Sequence, residues 1–159
     1  MLVKGIIFED FVNYKKPSMT IAMPYCSFKC DKECGYSICQ NSKLAKDPNI
    51  DISIDKIIDQ YIDNPITHSI VFQGLEPFDS WGDLERFIYR FRMTYACTDD
   101  IVIYTGYNEN EIEDKVKLLS CFTNIIIKFG RFIPNQDPHY DEILGVKLAS
   151  DNQYAKKIN

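Results

Sequence analysis

Apolar positions along the chain change period several times, and the changes predict its elements. Residues 2–8, LVKGIIF, are mostly apolar and predict a strand; residues 19–23 predict a second. From Ser53 the period becomes helical. Ile54, Ile57, Ile58, Tyr61 and Ile62 share one stripe, Ser53 stands where a cap belongs, and Asn64-Pro65 stops the run. Residues 69–72 predict a buried strand, 74–77 a loop, and Ser80 the cap of a long helix with Leu84, Phe87, Ile88, Phe91 and Tyr95 on its apolar side. Residues 101–104 predict another strand. Asn108 with Glu111 makes a capping-box pair opening a helix to Leu119, and residues 124–128 form a further strand. Past Gly130 the chain is rich in turn formers through Pro138, then shows a weak strand at 145–148 and a polar tail.

Strand and helix alternate from residue 19 to 128, which predicts an α/β fold. Right-handed crossovers should curl it into a partial (β/α) barrel, with a mostly parallel curved sheet and helices on the outer face. No repeat or linker divides residues 1–159, so a single domain is expected. In a parallel sheet, the loops that follow the strands emerge at one carboxyl edge, where ligand sites are built. Four unusual loops are expected there: the cysteine segment 24–41, Gly74-Leu75-Glu76-Pro77, Thr105-Gly106-Tyr107 and Phe129-Gly130-Arg131.

Composition narrows the function. Ten Tyr and ten Phe argue for a packed core and against disorder. A net charge of −5 without a basic stripe excludes an ordinary nucleic-acid binder. No apolar run approaches the ~18 residues of a membrane span. The N-terminus lacks the apolar core and cleavage site of a signal peptide, so a cytoplasmic location is expected. In that compartment clustered cysteines bind metal or react more often than they form disulfides.

Four of the six cysteines, Cys26, Cys30, Cys34 and Cys39, fall within the cysteine segment, while Cys97 and Cys121 stand apart. A short loop bringing thiolates together suits structural zinc, an iron–sulfur cluster or plain thiols, and spacing alone does not separate these. His68 and His139 have no ligand-spaced neighbour and are expected to be structural or surface residues, as are Cys97 and Cys121. There is no glycine-rich phosphate loop and no local Ser–His–Asp signature.

Cys26-Ser27-Phe28-Lys29-Cys30 resembles the opening of the cluster loop of the radical S-adenosylmethionine (SAM) superfamily, and Cys39-Gln40-Asn41 resembles its end. Gly74-Leu75-Glu76-Pro77 resembles that superfamily's GGEP loop. Tyr104-Thr105-Gly106, Gly130-Arg131-Phe132 and Ser150-Asp151-Asn152-Gln153 extend the likeness to the small activating enzymes of anaerobic ribonucleotide reductase, in order from about residue 10 to 154. Two features depart from the pattern: eight residues, Cys34 among them, separate Cys30 from Cys39, and Leu75 replaces the second glycine.

The resemblance implies a 4Fe–4S cluster on Cys26, Cys30 and Cys39, with Cys34 as the alternative third ligand. It implies SAM contacts at Gln73, Gly74, Leu75, Glu76, Thr105 and Asn152, with Tyr107, Arg131 and Gln153 as weaker candidates. It also implies reductive cleavage of SAM to a deoxyadenosyl radical. The implied partners are a glycyl-radical enzyme and an electron donor such as flavodoxin or ferredoxin; a homodimer is left open. The alternatives are a non-catalytic or degenerate iron–sulfur or zinc protein of the same fold, and a radical SAM enzyme acting on a small molecule.

Overall fold

The computed structural model describes residues 1–159, and its elements follow the predicted order. The first apolar run divides at Lys4 into β1 (Leu2–Val3) and β2 (Gly5–Asp10), followed by β3 (Ser18–Met23). The cysteine segment contains a short helix, α1 (Lys29–Cys34), which the polar sequence did not announce. Next come β4 (Ile50–Asp51), α2 (Ile54–Ile62), β5 (Ser69–Gly74), α3 (Trp81–Tyr89), β6 (Asp100–Tyr104), α4 (Glu113–Leu119) and β7 (Ile125–Phe129). The chain closes with β8 (His139–Asp141), β9 (Val146–Leu148) and β10 (Tyr154–Lys157).

The main sheet has six strands in the order β10-β7-β6-β5-β3-β2. Its four central strands are parallel, as the alternation predicted, and β2 and β10 flank them antiparallel. Each parallel strand lies beside the one before it, without the reversal that defines a doubly wound sheet. Right-handed crossovers in one direction put all their helices on one face. Met19, Ile21, Ile70, Phe72, Ile101, Ile103, Ile125 and Ile127 accordingly pack in one apolar cluster with residues of α2, α3 and α4. Phe72 and Phe87 meet edge to face with ring centroids 5.0 Å apart, and each buried phenylalanine contributes roughly 2–3 kcal/mol.

The opposite face carries no helix. Val71, Val102 and Ile126 form a smaller cluster there with Tyr14, Leu144, Leu148 and Ala155. The β2–β3 connection and the β8–β9 hairpin meet over this face; Lys15 N–H donates to Leu144 O at 2.8 Å, and the Tyr104 hydroxyl donates to Asn13 O at 2.6 Å. Toward the carboxyl ends of the strands the same face becomes polar, with Gln73, Tyr104 and Lys128. No helix is long and apolar enough to cross a membrane.

Ser53 caps α2 as expected, accepting from Lys56 N–H at 3.1 Å. The cap expected at Ser80 is absent. A tight turn over Pro77–Ser80, itself capped by Glu76, leads into α3, and Ser80 Oγ is buried without a partner. The Asn108–Glu111 capping box is present, but it closes a tight turn that precedes α4.

Candidate metal centre and cofactor cavity

All four expected loops meet at the carboxyl edge, and Glu76 is their junction. Its carboxylate accepts from Thr105 Oγ1 at 2.7 Å, from Gly106 N–H at 2.8 Å and from Phe78 N–H at 3.1 Å. Its own N–H donates to Tyr25 O at 2.8 Å, at the start of the cysteine segment. Asp79 makes a second tie, accepting from Ser27 N–H and from the Tyr107 hydroxyl. Asn41 Nδ2 donates to Gly74 O at 2.6 Å, and Gly130 N–H donates to Tyr107 O at 3.0 Å. Burial raises the Glu76 pKa to about 7, against the three hydrogen bonds that favour its charged form.

Between these loops and the helix-free face of the sheet lies a cavity of ≈ 660 Å³. Cys26, Cys30 and Cys39 line it. Cys34, the last residue of α1, does not. Burial raises the Cys26 thiol to about 12 and raises Cys30 as well, and the charge of Cys39 acts on both in the same direction. Phe28 N–H donates to Cys26 Sγ at 3.2 Å, the kind of contact that offsets charge on a thiolate. Asp31 Oδ1 accepts from Ile38 and Cys39 N–H at 2.8 and 2.9 Å, which ties the far thiol back to α1.

No three Cys, His, Asp or Glu side chains stand at the spacing of a finished metal site. The donor set nevertheless fits a three-thiolate centre: the soft ligands border one cavity on a short loop with little apolar anchorage. A cage of four cysteines would need Cys34, which stands outside that cavity.

Gln73, Gly74, Leu75, Glu76 and Thr105 also line the cavity. Gly74 is left-handed, with φ +95°, and a Cβ there would sit 3.1 Å from both Ala22 Cβ and Leu44 Cδ2. Leu75 lies outside the left-handed region, so the leucine that departs from GGEP needs no special backbone. Asn152 lies behind the lining, where its Nδ2 donates to Arg131 O at 2.9 Å; Gln153 reaches the cavity instead. Arg131 is paired with Glu111 through two hydrogen bonds of 2.6 and 2.7 Å. His68, His139, Cys97 and Cys121 stay off the lining.

One lining residue escaped the sequence reading. Lys128 is buried, its Nζ donates to Gly130 O at 2.7 Å, and burial lowers its pKa to about 8. A lysine ending the run Ile125-Ile126-Ile127 was the available signal, since such runs form strands covered on both faces.

The match of the chain to a family of sequences supports an iron–sulfur protein of the radical-SAM-like kind. Residues 18–153 match the sequence model of the 4Fe-4S single cluster domain, and the chain belongs to that family. No curated protein and no solved structure matches the chain.

Proposed function

We propose that this protein binds its 4Fe–4S cluster through Cys26, Cys30 and Cys39, binds SAM in the adjoining cavity and cleaves it reductively. The product of that chemistry would be a glycyl radical on a partner enzyme such as an anaerobic ribonucleotide reductase, with flavodoxin or ferredoxin as electron donor. The observation that carries this reading is that three of the four clustered cysteines share one cavity with the residue 73–76 loop and Thr105, while Cys34 does not.

A cluster held by three thiolates supplies a low-potential electron and one iron position open to a small ligand. The chain's own residues do the rest. Gly74 lets the loop backbone run close beside Ala22 along the cavity wall. Glu76 holds that loop against Thr105 and Gly106, and Leu75 supplies apolar surface that displaces water. Thr105 Oγ1 also accepts from Tyr107 N–H at 3.0 Å, which fixes the turn. The open sheet, with its helices on one face, fits a part-barrel whose free edge receives a protein substrate.

Anaerobic loading with iron and sulfide tests the reading. The wild type should turn brown, bind SAM and, with reductant, release methionine. Cys26→Ala, Cys30→Ala and Cys39→Ala should lose cluster and cleavage, and Cys34→Ala should keep both. Cleavage by Cys26→Ala at the wild-type rate would sink the proposal. A radical signal on a co-expressed glycyl-radical enzyme tests the activase role.

A further inference from the structure

Helix α1 carries Cys30, yet none of its six residues is buried. Its first turn has no side-chain cap, and Phe28 before it is left-handed at φ 53°. Helices shorter than ~12–15 residues do not persist alone in water, so tertiary contacts must hold this one. Apolar packing does not supply them; charge does. Glu111 Oε1 accepts from Lys29 Nζ at 3.1 Å and from Arg131 Nη2 at 2.6 Å. Glu111 Oε2 accepts from Arg131 Nη1 at 2.7 Å and from Asn108 N–H at 2.8 Å. Arg131 Nε lies 3.2 Å from Glu33 Oε1, an ion contact whose angle falls short of a hydrogen bond.

Lys29 and Glu33 both belong to α1, so the helix is tied at two points to one carboxylate and one guanidinium from neighbouring loops. Lys29 Nζ also lies 4.4 Å from the Tyr107 ring centroid. Arg131 is only 6% exposed, which fixes the anchor, while Lys29 and Glu33 on α1 are largely exposed, so the two ties to the helix are screened by salt as surface pairs are.

We propose that Glu111 and Arg131 form a charge latch that positions the cysteine helix, and with it Cys30, at the rim of the cavity. They are positioning residues and not ligands. Arg131 spends its fork on Glu111, so it is not available to a carboxylate of a bound cofactor. The latch deepens the cluster reading but can be measured without a cluster.

Amide hydrogen exchange on the metal-free protein is the test. Glu111→Gln keeps an acceptor for Asn108 N–H and removes the charge; Arg131→Met removes the fork. Each should speed exchange across residues 29–40 about tenfold and leave α2 at the wild-type rate. Lys29→Met, at the exposed end of the network, should give a smaller increase of the same kind. Salt at about 1 M should loosen the wild-type helix in the same direction. Glu109→Gln, which breaks a nearby pair with Lys156, should leave residues 29–40 unchanged.

In anaerobically loaded protein, a chelator should strip iron from Glu111→Gln several-fold faster than from the wild type. Unchanged exchange in Glu111→Gln and Arg131→Met overturns the latch, whether or not a cluster loads. Equal loosening in Glu109→Gln overturns it too, since the effect would then not be specific. Faster exchange in a chain that takes up no cluster supports the latch and sinks the cluster assignment instead.

Discussion

Gly74 and Leu75 divide the work of the loop after β5. Gly74 takes a backbone shape that costs any other residue, and its missing Cβ leaves room for Ala22 and Leu44. Gly74→Ala should therefore lower stability by about 1–3 kcal/mol, read as a lower urea midpoint at unchanged slope. Glu76 gives a pH signature. Its folded pKa of about 7 lies above the ordinary 4.5, so between those values the folded chain binds the proton more tightly than the unfolded one. Its contribution is complete below about pH 4.5 and is lost as pH rises through 7. The unfolding free energy of the metal-free protein, from urea titrations, should fall across that window by on the order of 3 kcal/mol at most, and Glu76→Gln should flatten the pH dependence. A wild-type profile as flat as the variant's would refute the buried-acid assignment. The gathering of Cys26, Cys30, Cys39 and Glu76 at one edge was legible because strand order alone sends their loops there. The role of Lys128 was not, because a lysine in an apolar run does not say which face it takes.

At the scale of elements, the two serines expected to cap helices separate clearly. Ser53 accepts a hydrogen bond and Ser80 does not. Ser53→Ala should cost ~1 kcal/mol, whereas Ser80→Ala should be neutral or slightly stabilising, since it removes a buried hydroxyl without a partner. Chemical denaturation of the two variants side by side checks the contrast. The central strands and α2, α3 and α4 were legible in the sequence because each buries a regular apolar stripe. Four elements were not, the two-residue β4 (Ile50–Asp51) among them, too short to show a period. Helix α1 buries nothing, so no period marks it, and only Gly35 in the left-handed region hints at its end. Strand β10 offers a single inward apolar residue, Ala155, between exposed neighbours. It pairs with β7 at the sheet edge, where lysines discourage further pairing. Strand β8 is three residues long and depends on β9 for its partner.

For the whole molecule, the two faces of the sheet carry different duties. The large apolar cluster lies on the helix side, and the cavity lies on the other. None of Cys26, Cys30 and Cys39 belongs to either apolar cluster. Replacing all three by serine should accordingly leave the metal-free protein folded, with a melting temperature within a few degrees of the wild type. A collapse in thermal stability would mean that the thiols act as core. Separation of this kind also bears on wear. Iron–sulfur centres are damaged by air, and a holder whose structure leans on them would be discarded with each loss. Here the helix that carries Cys30 hangs on ion pairs outside the packed interior. A cluster held on these three cysteines, as proposed, would be a replaceable part, stripped and rebuilt while the folded body stays in service.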